Sequence, residues 1–99
     1  MSEVLCSDLL TIHRDRIREI AVHQHCVKVQ VFGSVARGEE TAESDIDFLV
    51  TPTEKTTLID IGALRVEYRQ LLGREVDVLT PGALPPEIRE RVLREAREI

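Results

Sequence analysis

The sequence predicts an α/β (α+β) domain, a small mixed sheet of about three strands packed with helices. Three observations predict it. Long stretches carry apolar residues at helical spacing, short β-branched runs separate them, and Gly and Pro stand at the boundaries. With 99 residues the chain fits one domain, 1–99, which buries roughly two thirds of the surface its unfolded chain exposes.

The elements follow in order. From about Leu5 to Gln24, Leu5, Leu9, Ile12, Ile17, Ile20 and Ala21 recur at spacings of mostly three to five among charged residues, an amphipathic helix. Val27, Val29 and Val31 alternate with Lys28 and Gln30, which suits a half-buried strand ending at Gly33. Ser34 to Gly38 allow only a turn or two of helix, closed by Gly38 in the left-handed conformation. Glu39 to Ser44 read as a polar loop. Ile46, Phe48, Leu49 and Val50 form a second strand that Pro52 terminates.

Leu58, Ile61, Leu64, Tyr68, Leu71 and Leu72 keep helical spacing up to a cap at Gly73, and Gly62 within that helix suggests close backbone packing. Val76, Val78 and Leu79 make a third strand. Pro85 and Pro86 open a final helix with Ile88, Val92, Leu93, Ala96 and Ile99 on one face. Its outer face sets Glu87 against Arg91 and Glu90 against Arg94 and reads as solvated, with docking as the alternative.

Composition narrows the function. A hydrophobic fraction of 42%, without any run near the roughly 20 apolar residues of a membrane span, predicts a cytoplasmic protein. A formal charge of -5 weighs against direct nucleic-acid binding, which draws on Lys and Arg at phosphates. Phe32, Phe48 and Tyr68 are the only aromatic residues, too few for a base-stacking platform. Cys6 and Cys26 lack the spacing of a zinc site or disulfide framework and read as free thiols. His23, His25 and Cys26 straddle a helix end and offer no second ligand pair, so a polar terminus is the better reading, with His25 left-handed.

Carboxylates are depleted from strands, yet the second strand contains Asp45 and Asp47 and the third contains Asp77. Side chains alternate along a strand, so Asp45 and Asp47 share a face with Cα atoms about 6.6 Å apart. If the strands are neighbours, the three acids converge. Such a cluster calls for cations, and oxygen ligands suit magnesium or manganese, so a two-metal phosphoryl-transfer site is the economical explanation. Upstream, Gly33 would let the backbone approach a triphosphate, with the Ser34 hydroxyl and nearby amides on its terminal phosphates. Arg37 either adds charge there or pairs with a nearby acid.

The string Gly33-Ser34-Val35-Ala36-Arg37-Gly38, seven residues ahead of Asp45-Ile46-Asp47 and followed later by Glu75-Val76-Asp77, resembles the signature of the DNA polymerase beta-like nucleotidyltransferases. The short length and the tail Asp77-Val78-Leu79-Thr80-Pro81 look like the minimal nucleotidyltransferases. The resemblance implies the polymerase beta-like fold, ATP as substrate at Gly33 and Ser34, and two Mg2+ ions (Mn2+ as an alternative) on Asp45 and Asp47. Asp77 would complete the metal site and could serve as general base beside the acceptor hydroxyl. It also implies an antitoxin role, with AMP transferred to a tyrosine of a helical ribonuclease toxin of the HEPN class. A non-catalytic antitoxin acting by steric occlusion is the alternative, and transfer to RNA or a small molecule a third reading. Nucleotide preference and oligomeric state are not written in the sequence.

Overall fold

The structure is a computed structural model that describes residues 5–39, 41 and 44–99. Its elements run α1 (Cys6–Ile12), α2 (Arg14–His23), β1 (Cys26–Phe32), α3 (Ser34–Arg37), β2 (Ile46–Pro52), α4 (Leu58–Leu72), β3 (Val76–Leu79), a 3-10 turn (Pro81–Ala83), α5 (Pro86–Glu95) and β4 (Arg97–Glu98). One mixed sheet has the order β3-β2-β1-β4, with β2 antiparallel to β1 and parallel to β3. Of the loop read from Glu39 to Ser44, residues Glu40, Ala42 and Glu43 lie outside the described residues.

Alternation along the strands divides the apolar residues between two layers. Val29 and Val31 of β1, Ile46, Phe48 and Val50 of β2, and Val76 and Val78 of β3 pack with α1, α2 and α4 in the main core. Within it the Tyr68 hydroxyl donates to the Ile17 carbonyl at 2.8 Å, tying α4 to α2, and the Tyr68 and Phe48 rings stand 4.6 Å apart. On the opposite face Phe32 and Leu49, with Leu79, meet Leu84 and the Val92 stripe of α5 in a smaller core. By the same alternation Asp47 shares the α5 face with Leu49, and Asp77 shares it with Leu79. The acids therefore sit on the sheet just beyond what α5 covers.

Several readings are corrected. The N-terminal segment is two helices, divided at His13, because the step from Ile12 to Ile17 slips the apolar phase; Ile12 is 70% exposed while Ile17 is buried. Val27 is exposed because the register of β1 shifts between Cys26 and Lys28, and Cys26 takes the inward place. Gly62 does not mark close packing: a Cβ added there meets nothing within 4 Å. The last helix stops at Glu95, where Ala96 turns extended (φ -60, ψ 134), and Arg97 and Glu98 add a fourth strand opposite Val31 and Gln30. Ile99 thus leaves the helix and packs on the main core. The Glu87 to Arg91 and Glu90 to Arg94 ion pairs are not among those formed.

The α4 boundaries have local causes. The Thr57 side chain accepts from the Asp60 N–H at 3.2 Å while the Thr57 N–H donates to the Asp60 carboxylate at 2.9 Å, a reciprocal cap on two amides without helical partners. At the other end Gly73 takes φ 65 and its N–H closes on the Arg69 carbonyl.

Candidate active site

Three strand ends and one glycine build the site. β1 delivers the chain to Gly33, which adopts φ 74 and ψ -149, a conformation that residues with a Cβ resist. Only then can the backbone reverse into α3, a single turn closed by Arg37 N–H on the Gly33 carbonyl at 3.1 Å. Gly38 ends the turn at φ 72. In so short a helix the first amides have no intrahelical acceptors and remain available to an anion.

The antiparallel register sets Asp47 opposite Phe32, the residue before Gly33, and the parallel register sets Asp77 opposite Asp47. Asp45 lies one residue before β2, where Ile46 N–H has already joined the Glu75 carbonyl at 3.0 Å. The condition posed by the sequence is met, since β2 and β3 are neighbours. Asp47 lies flat against Gly33: a Cβ at Gly33 would overlap Asp47 Oδ2 and stand 3.5 Å from Cγ. Gly33 is thus required twice, for its dihedral and for its missing side chain.

Asp47 is partly buried, whereas Asp45 and Asp77 are exposed. Burial, followed by the negative charges of Asp77 and Asp45, pushes the Asp47 carboxyl up to about 6, against the pull of Arg37. Among the described residues no three His, Cys, Asp or Glu side chains form a closed metal cage. The donor chemistry still fits a magnesium-type cation, which takes one or two carboxylates and completes its shell with water and substrate phosphate. Burial and the two neighbouring carboxylates together outweigh Arg37 at Asp47.

Arg37 pairs with two acids. Its Nε donates to Glu39 Oε2 at 2.7 Å and its Nη1 to Glu95 Oε2 at 3.2 Å, which binds α3 to the last turn of α5. His25 takes φ 63 as the sequence suggested, and its Nδ1 lies 3.2 Å from Asp60 Oδ2, at the α4 cap. Cys6 and Cys26 are both free and buried. Cys6 holds a place the sequence did not reveal: its thiol donates to the Ser44 carbonyl at 3.4 Å, anchoring the segment that presents Asp45. Also unforeseen is a groove of about 610 Å³ beside Asp45, walled by Arg69, Gln70, Arg74 and Glu75. Nothing in the spacing of those residues signals a shared wall, because α4 and β3 bring them together only on folding.

Residues 13–99 match the model of the nucleotidyltransferase domain. The chain belongs to that family. This nucleotidyltransferase is 43% identical over 77 residues to a candidate protein adenylyltransferase of Methanocaldococcus jannaschii, covering 77% of this chain and 83% of that one. It is 36% identical over 88 residues to the protein adenylyltransferase MntA of Thermococcus cleftensis, covering 88% and 85%. A structure solved as a candidate minimal nucleotidyltransferase superposes with a TM-score of 0.81 at 41% identity, over 91% of this chain and 92% of that one. A toxin–antitoxin crystal structure with AMP-PNP shares the fold at 19% identity, with a TM-score of 0.71 over 85% of this chain and 69% of that one. The fold is that of the polymerase beta-like nucleotidyltransferases, and the chain is a nucleotidyltransferase enzyme of the minimal type. No helix among the described residues is long and apolar enough to cross a membrane.

Proposed function

We propose that this nucleotidyltransferase moves AMP from ATP onto a hydroxyl of a partner protein, and that the partner is a HEPN-type ribonuclease toxin which the transfer silences. The observation that carries the reading is the register that lines up Phe32, Asp47 and Asp77 across three strands, with Gly33 bare against Asp47. The names of its relatives support a protein acceptor, and the toxin–antitoxin neighbour supports the partner class.

In this reading the turn at Gly33 lets the backbone approach the triphosphate, while the Ser34 hydroxyl and the first amides of α3 hold its outer phosphates. Asp45 and Asp47 would hold two magnesium ions, which supply charge neutralisation to the phosphates and acidity to the attacking hydroxyl. Asp77, exposed at the edge strand, receives that hydroxyl's proton. The acceptor oxygen bonds to the α-phosphorus as the α–β phosphoanhydride bond breaks, and pyrophosphate leaves on the Gly33 side. Arg37, held by Glu39 and Glu95, acts at a distance by keeping positive potential near Asp47.

The test is to incubate the protein with α-labelled ATP, magnesium and the HEPN protein from the same source. A labelled partner band is expected. Absence of label with every nucleotide tried would overturn the reading.

A further inference from the structure

Three arginines away from the acids call for an explanation. Arg14 and Arg18, one helical turn apart on α2, line a groove of about 520 Å³ together with Arg97 and Glu98 of β4. Among the described residues none of the three makes an ion pair or side-chain hydrogen bond, although this chain carries a net charge of -5 and pairs its neighbouring Arg16 with Glu19. Glu98, the one acid lining the groove, lies 3.9 Å from the Lys28 ammonium, so the three arginines leave an excess of positive charge on this face. The floor between them is apolar, formed in part by Leu10, Val35 and Ile99.

We propose that this groove docks an acidic amphipathic segment of a partner protein. The arginines meet its carboxylates and the floor receives its apolar face, the usual division of labour in helix-in-groove recognition. The chemistry argues against RNA. Phosphates have nothing to gain from an aliphatic floor, and no aromatic ring is available to stack a base: Phe48 and Tyr68 are fully buried and Phe32 is 8% exposed. The volume lies in the range of natural ligand clefts. The groove includes none of the three acids, although Val35 and Ala36 of α3 form part of its wall.

The probe is a fluorescein-labelled helical peptide of about four turns, with Leu at i, i+4 positions and Glu elsewhere. It is titrated into the full chain by anisotropy, beside a scrambled peptide and an oligouridine. Binding is expected to weaken with salt and to fall about tenfold or more in Arg14→Glu/Arg18→Glu/Arg97→Glu. Amide shifts should map to α2, the start of α3 and β4. The proposal is overturned if the peptide does not bind, if the reversed variant binds it equally, or if the scrambled peptide or oligouridine binds as well. Sedimentation of the protein alone tests a second copy as occupant; a dimer that dissolves on charge reversal would also overturn it. Arg→Gln substitutions, which remove charge without adding any, serve if the reversed variant loses its circular dichroism.

Discussion

The carboxylate of Asp47 occupies the space that a side chain at Gly33 would need. Substituting Gly33 by Ala therefore meets two penalties, the overlap with Oδ2 and a φ of 74 that costs roughly 1–2 kcal/mol in a residue with a Cβ. Transfer to the acceptor should fall at least about a hundredfold, since displacements near one ångström cost that much. The melting temperature should drop by several degrees. Labelled-nucleotide transfer and a thermal melt check both halves.

Replacing Asp47 by Asn should abolish transfer yet stabilise the metal-free fold at neutral pH. The sign follows from the carboxyl, which is raised from 3.8 to about 6. A raised acid contributes its full stability below pH 3.8 and loses it as pH rises through 6, by about 1–2 kcal/mol once solvent screening of a half-exposed group is allowed for. In EDTA, urea midpoints of the wild type should fall between pH 4 and pH 7, and those of Asp47→Asn should not. Toxin neutralisation by the same variant separates catalysis from occlusion: survival of neutralisation would favour occlusion.

Gly62→Ala should stabilise. Its Cβ points into open space and the residue lies inside α4, where Gly costs about 1 kcal/mol relative to Ala. A higher urea midpoint with unchanged transfer is the expected result.

Thr57→Ala should cost about 1 kcal/mol, the typical worth of a lost N-cap. Asp60 is held below its ordinary value, first by the Thr57 N–H and also by His25. A lowered acid stabilises above its unfolded pKa and withdraws that support as pH falls. The Thr57 N–H is a backbone group that Thr57→Ala keeps, so both proteins should lose stability as pH falls below about 4 and the gap between them should stay nearly constant in melts across pH.

The chemistry of the site was more legible than its frame. Asp45, Asp47 and Asp77 stand out because acids on apolar strands break a local rule, and Gly33 and Gly38 because only special dihedrals explain them. The two ends were misread for different reasons. Ile88, Val92, Ala96 and Ile99 satisfy a helical period, but the free edge of β1 recruits Arg97 and Glu98 by backbone hydrogen bonds, which no periodicity records. At His13 the break was written in the five-residue step from Ile12 to Ile17, a phase error too small to outweigh the surrounding pattern. The Arg37 pairing with Glu95 was hidden because the two lie 58 positions apart.

α5 roofs only the half of its face that holds Leu49 and Phe32, and among the described residues the half that holds the acids leaves Asp45 and Asp77 exposed. Water is itself a hydroxyl donor at overwhelming concentration, so an enzyme with this opening spends nucleotide on hydrolysis unless something dry shuts it. In the proposed reaction the acceptor then has a second task beyond supplying the oxygen, which is to keep water from the nucleotide while the new bond forms.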